Sequence, residues 1–278
     1  GAFHLIRYRD GRYIAESDIP THTAVFYESL SYSRATDSKS LERFKSTLRA
    51  TTPGFFALTE APFVYGSGFD KDSGFNVVIG HELNVKLFNG KDSVGKSIEI
   101  EGQSLQVVGV LKPWFLRPMF YHASEGRAFN ATDDVFIPLE TAIDMNLRVS
   151  GRQSSSENVD GVADTRNKQS FYLHAWVQLD TLAQQEGFQT YLDNYSQNLQ
   201  DNGEHPNVVS NLLDDINVWL AKQEVVDDKV LAFTIATALF LFVCIFNASS
   251  LLLSRFHAAK FEVGLRRAIG ASKRQMLQ

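Results

Sequence analysis

The sequence predicts an α+β fold: a two-lobed domain outside the cytoplasm, then one transmembrane helix, then a short helical tail on the cytoplasmic side. Strand-like alternation and helix-like spacing are interleaved over residues 1–228, which is the pattern of a mixed domain. A run of 25 residues, Val230–Ser254, then carries neither charge nor proline. As a helix it spans about 37 Å, enough to cross a hydrocarbon core of roughly 30 Å. Charge sets its direction. From Arg255 onward there are six Lys or Arg and one acid, Glu262, whereas the 229 residues before the run hold 21 basic and 31 acidic residues, a net charge of about −10. The basic flank faces the cytoplasm by the positive-inside rule. A signal peptide is excluded, because the run follows the large domain instead of preceding it.

Taken in order, Phe3–Tyr8 reads as a strand, Asp10-Gly11 as a turn and Arg12–Ala15 as its return, so residues 1–35 look strand-like from the outset. A domain outside the membrane that begins without an export signal implies an upstream transmembrane helix. Ser40–Ala50 suits a short helix or strand, and Thr52-Pro53-Gly54 breaks it ahead of Phe55 and Phe56. Asn76–Gly80 is a compact apolar strand, followed by a helix at HELNVKLF that Gly90 closes. Ser97–Leu111 alternates as a hairpin, with Ile98 and Ile100 inward and the turn at Glu101–Gln103. Asp134–Pro138 is a further strand, and the polar stretch Leu147–Ser170 reads as a mobile loop or insertion. Phe171–Leu179 is a strand, and Thr181–Asp201 a helix with Thr181 at its N-cap. Val208–Lys222 is an amphipathic helix with Leu212, Ile216 and Leu220 four apart, and Gln223–Asp228 a strand or linker into the span. Lobe one is expected at about 1–50 plus 171–228, lobe two at about 51–170, the span at 229–255 and the cytoplasmic segment at 256–278.

Several function classes are weakened. Gly90–Ser97 spells G-x-x-x-x-G-K-S, the phosphate-loop pattern, but that chemistry needs a strand entering and a helix leaving so that backbone N–H groups converge on phosphate. Here a helix enters and a strand leaves, so the match is set aside and no cofactor is assigned to this chain. The seven histidines form no H-x-x-x-H pair, and the lone cysteine, Cys244, lies inside the span, which leaves neither a metal motif nor a disulfide outside it. No paired carboxylates or Ser/His/Asp set stand out, so no catalytic residue is assigned. The aromatic run Pro113–Tyr121, with Trp114, Phe115, Phe120 and Tyr121, is either lobe core or a partner surface.

Four segments then converge. TTPGFFALTEAPFVYGSGF (51–69), VVIGHELNVKLFNGKDSVGKSIEIEGQSLQVVGVL (77–111), DVFIPLETA (134–142) and FEVGLRRAIGASKRQMLQ (261–278) resemble the permeases of MacB/FtsX-type ABC transporters, in order and over most of the chain. GSGF at 66–69 departs from the GRxF of many members. The resemblance implies a permease subunit of the cytoplasmic membrane with four membrane helices, a large outer domain between the first two, and an ATPase, fused or separate, that binds ATP and Mg. It also implies a homo- or heterodimeric permease, with a periplasmic adaptor or effector as a further partner and no nucleic acid.

In the tail, Phe261, Leu265, Ala268 and Ile269 share one helical face with Arg266 and Arg267 beside it, Gly270 ends that helix, and Ser272 with Gln275 forms a capping box for the next. Such a surface serves lipid headgroups or a docking domain. The resemblance favours docking, so Glu262, Gly264, Leu265, Arg266, Arg267, Gly270 and Ala271 are assigned to ATPase coupling. Asn247, Ser249 and Ser250 are assigned to helix packing within the bilayer. A membrane-anchored sensor or binding module is the alternative reading.

Overall fold

The computed structural model describes residues 5–36, 42–71, 73–204, 211–225 and 228–270. The chain divides into two units, residues 1–215 and 216–278. The first unit is built on one ten-stranded sheet, part of which closes on itself. Its elements in order are β1 (Ile6–Arg7), α1 (Tyr8–Ala15), β2 (His22–Ala35), β3 (Phe44–Thr51), α2 (Gly54–Leu58), β4 (Phe63–Gly66) and β5 (Asn76–Ile79). There follow α3 (His81–Phe88), β6 (Ser97–Ile100), β7 (Gln103–Leu111), β8 (Val135–Pro138), α4 (Leu139–Asp144), β9 (Ser154–Ser155), β10 (Ser170–Gln178) and α5 (Leu182–Asp201).

Strands β2, β3, β8, β5, β7 and β6 pair in that order, and β6 pairs back onto β2, so six strands form a small closed barrel. Period-2 alternation supplies its interior. Leu48 and Ala50 of β3, Ile98 and Ile100 of β6, and Val135 and Ile137 of β8 are fully buried in one cluster. Each aliphatic side chain so buried contributes about 1.5–3 kcal/mol of transfer free energy. The long strand β2 outlasts the barrel: its first half pairs with β10, which carries β1 and β9 at its other edge. Strands from both expected lobes, β2 and β3 from the first and β5 to β8 from the second, therefore share one sheet, and a two-lobed division is not evident among the described residues.

Local chemistry explains where the chain turns. Glu101 and Gly102, with φ of 48° and 79°, make the two-residue β6–β7 hairpin, since such tight turns need positive φ at both positions. Asp10-Gly11 is not a turn but lies inside α1, where the Asp10 carboxylate accepts from Arg7 N at 3.2 Å and Arg7 Nε at 2.8 Å. Gly11 is selected by proximity: a Cβ there would stand 2.9 Å from Val25 Cγ1 and 3.0 Å from Leu173 Cδ1, so α1 lies directly on β2 and β10. Packing overrides the turn signal. The stretch 147–170, expected to be mobile, is tied down: Val162 N donates to Asn146 Oδ1 at 2.5 Å, and the Thr165 hydroxyl meets the Tyr172 hydroxyl at 2.9 Å. Thr181 caps α5, its side chain accepting from Gln184 N.

In the second unit α6 covers only Ile216–Lys222, shorter than the expected 208–222, part of which lies outside the described residues. Then α7 runs unbroken from Asp228 to Ala268, 41 residues and about 61 Å. The apolar run and the first half of the basic tail are thus one helix. The stretch Lys229–Arg266 is long and apolar enough to cross a membrane.

Candidate functional site

Alternation along the barrel wall sends Leu48 and Ala50 inward and Arg49 outward, and on β2 it sends Tyr27 inward and Glu28 outward. Outward charge ordinarily means water. Here the excursion between β7 and β8, residues 112–133, folds over that wall, and Arg49 and Glu28 are only 1% and 3% exposed. Arg49 Nε donates to Asp133 Oδ2 at 2.8 Å. Its Nη2 stands 2.9 Å from His122 Nε2, 3.1 Å from His122 Nδ1 and 3.5 Å from Glu28 Oε2. His122 in turn places Nδ1 3.4 Å from Glu28 Oε2 and Nε2 3.3 Å from Asp133 Oδ2. Arg127 closes the cluster by pairing with Glu28. The guanidinium carbon of Arg49 also lies 5.1 Å from each of the ring centroids of Phe26 and Tyr121.

Isolated charges at such depth are costly, and mutual pairing is what keeps these ionised. Burial is the strongest single influence on the Asp133 carboxyl and would raise it, but the charge of Arg49, the contribution of His122 and the hydrogen bonds from both together outweigh it and hold Asp133 far below the usual carboxylate range. Burial works against the Arg49 cation too, and Asp133 and Glu28 more than restore it. The Tyr121 phenol is pushed up by burial and then by Asp133, so it stays neutral. Glu28, His122 and Asp133 bring ligand atoms within 4.8 Å of one another, a donor set that suits a divalent cation. Arg49 lies 2.8–3.5 Å from all three, so a guanidinium already fills the cation's place.

The aromatic run divides in two. Phe115 is 66% exposed and Trp114 half-buried, with Arg117 stacked over the Phe115 ring at 5.4 Å. Phe120 and Tyr121, by contrast, are buried: Phe120 packs on Trp176 at 4.6 Å and Tyr121 on Phe55 at 5.2 Å. These two anchor the excursion, the core alternative of the sequence expectation rather than the partner-surface one. The reason is that Phe26 and Phe55 offer an apolar floor on the outer barrel wall, and the excursion lays its aromatics on it.

Gly90–Ser97 connects the end of α3 to the start of β6, with Asn89 and Gly90 at φ of 57° and 72°. On α7, Asn247, Ser249 and Ser250 are exposed within the chain, as are Gly264, Leu265 and Arg266. Glu262 and Arg267 fall within the same helix, and Gly270 follows its end at φ 93°. Ala271 lies outside the described residues, with Ser272 and Gln275.

The model of the MacB-like periplasmic core domain family matches residues 2–195. No curated protein matches the chain. Among solved structures it is similar to the extracellular domain of the noncanonic ABC-type transporter YknZ from Gram-positive bacteria, at 15% identity and a TM-score of 0.45 over 73% of this chain and 87% of that one. It is also similar to the periplasmic region of MacB from Actinobacillus actinomycetemcomitans, at 10% identity and a TM-score of 0.46 over 72% and 75%. A domain of a putative permease protein from Porphyromonas gingivalis aligns at 15% identity and a TM-score of 0.44 over 72% of each chain.

Proposed function

The chain belongs to the family of MacB-like periplasmic core domains, and from that premise we propose that it is part of a permease subunit that converts ATP hydrolysis in the cytoplasm into motion of an outer domain. The observation that carries this reading is the continuity of α7. A helix is stiff along its axis, and this one joins a membrane-length apolar run to the arginine-bearing segment without a break at Ser254 and Arg255. A displacement applied to residues 256–268 therefore reaches the outer end of the helix with little loss.

In this reading residues 1–228 stand outside the cytoplasm, 229–255 cross the bilayer and 256–278 meet the ATPase subunit or domain, which holds ATP and Mg. Glu262, Gly264, Leu265, Arg266, Arg267, Gly270 and Ala271 form or support that coupling surface. Asn247, Ser249 and Ser250 pack against neighbouring membrane helices, including those of a homo- or heterodimeric permease mate. The outer domain acts on an exported or extracted cargo, or on a periplasmic adaptor or effector, through surfaces that include Trp114 and Phe115.

Charge reversal at Arg266 and Arg267 in the assembled transporter tests the coupling surface. The expected outcome is a protein that inserts and assembles as the wild type does but loses about tenfold or more of its ATP-driven transport. Unchanged transport in the double variant would remove these residues from coupling.

A further inference from the structure

The excursion 112–133 is held to the barrel wall by a polar cluster in which one member, His122, has an ordinary pKa inside the physiological range. Facing His122 are Glu28 from β2, Arg49 from β3, and Tyr121, Arg127 and Asp133 from the excursion itself. Two carboxylates and two guanidiniums balance when the imidazole is neutral. In that state one ring nitrogen accepts from Arg49 Nη2, at 2.9 Å for Nε2 or 3.1 Å for Nδ1. The other carries its proton toward a carboxylate, Glu28 Oε2 at 3.4 Å from Nδ1 or Asp133 Oδ2 at 3.3 Å from Nε2.

Protonation destroys this arrangement from inside. The imidazolium has no lone pair to accept from Arg49, and the guanidinium then faces a second cation at 2.9–3.1 Å. The cluster also acquires one uncompensated positive charge in a site 2% exposed at His122 and 1% at Arg49. We propose that His122 is a pH-operated latch: neutral, it holds the excursion on the β2–β3 wall, and protonated, it lets the excursion lift.

Lifting has a directed consequence. Tyr121 would leave the floor formed by Phe26 and Phe55, Phe120 would leave Trp176, and the exposed Trp114–Arg117 tip would move with them. A domain outside the cytoplasm meets whatever pH its surroundings have, so such a latch would present or withdraw the tip according to external acidity. The sign follows from the neutral form being the docked one: acid opposes docking, so the excursion is held at neutral pH and released as pH falls.

Hydrogen exchange on the full-length chain in lipid nanodiscs, at pH 7.5 and 5.5 and corrected for the intrinsic exchange rate, tests this. Peptides from 112–133 are expected to exchange about tenfold or more faster at pH 5.5, with β5 and β8 unchanged. His122→Gln supplies an acceptor and a donor but does not titrate, so its excursion should show the same protection at both pH values. Wild-type exchange that is flat or slower in acid, or an H122Q variant that accelerates as the wild type does, overturns the latch. If H122Q is unprotected even at pH 7.5, the wild-type imidazole titration followed by NMR decides: a ring neutral at pH 7.5 that protonates in step with opening supports the proposal, and a ring already charged while the excursion is docked overturns it.

Discussion

Leu48, Arg49 and Ala50 are consecutive on one strand and all are at most 1% exposed, yet they are buried by different means. Leu48 and Ala50 enter the barrel, an interior that closure of six strands creates and that apolar side chains fill. Arg49 lies on the other face, made internal only because a loop from 63 or more residues away covers it. One burial is secured by topology and sums small dispersive contacts. The other is secured by a few charged hydrogen bonds, and fails if any partner is lost.

The sharpest way to break this comparison is truncation on both faces. Arg49→Ala leaves Asp133 and Glu28 buried beside each other without their shared cation, and should cost about 3–5 kcal/mol in chemical denaturation. Leu48→Ala removes apolar contacts and leaves a void, for about 2–5 kcal/mol. The two separate when a partner is removed as well. Arg49→Met with Asp133→Leu should be less destabilising than either substitution alone, because an apolar pair replaces a charged one. No second substitution rescues Leu48→Ala in that way. Double-mutant energies that simply add would show that the cluster is not an interacting unit.

The same contrast decides what the sequence made legible. Barrel strands β6 and β7 follow from alternation, β5, β8 and, outside the barrel, β10 from short apolar runs, and α3 and α5 from helical spacing and caps, because each signal is local. The long apolar helix is legible too, since 25 residues without charge or proline favour one continuous helix. Arg49 and Glu28 were not singled out, because Ser40–Ala50 read equally as helix or strand and nothing in FKSTLRAT or VFYESLSYS reports that residues 112–133 will cover the face these two occupy. Gly11 was misread for the same reason: its neighbours Val25 and Leu173 are chosen by the fold, not by the adjoining residues. The coupling residues were proposed from the tail's resemblance to the family; of them Glu262, Gly264, Leu265, Arg266 and Arg267 lie on the helix that ends at Ala268.

Acid sharpens the comparison with a smaller effect. The folded Asp133 carboxyl is held well below its ordinary value, burial opposing most strongly and the cluster around it, Arg49 foremost, prevailing in sum. Its contribution is therefore complete above the unfolded aspartate pKa of about 4 and is lost as pH falls below that toward the folded value. Melting temperatures in detergent between pH 5 and 2.5, taken on the His122→Gln background in which the excursion stays docked in acid, should fall more steeply with Asp133 in place than with Asp133→Asn, which has a lower starting stability but no carboxyl to protonate. The decrement caused by Leu48→Ala should stay constant across the same range, since the barrel face at that position holds no titrating group. Parallel profiles for H122Q and for H122Q with D133N would count against a strongly paired Asp133.

The smallest effect on stability is expected at the excursion's tip, and it separates anchoring from display. Phe115 is 66% exposed and touches the protein mainly through Arg117, so Phe115→Ala should change unfolding free energy by no more than about 0.5 kcal/mol. Tyr121, six residues on, is 3% exposed and packs on Phe26, Phe55 and the Arg49 guanidinium. Its truncation to Ala should cost about 3–5 kcal/mol, as for other large buried aromatics. If the tip meets cargo or a partner, F115A in the assembled transporter will lower transport while its melting temperature stays put, whereas Y121A will lower both together. An F115A protein with wild-type transport would leave Phe115 as an exposed aromatic without a partner, and would shift the search for the working surface of the outer domain away from the excursion.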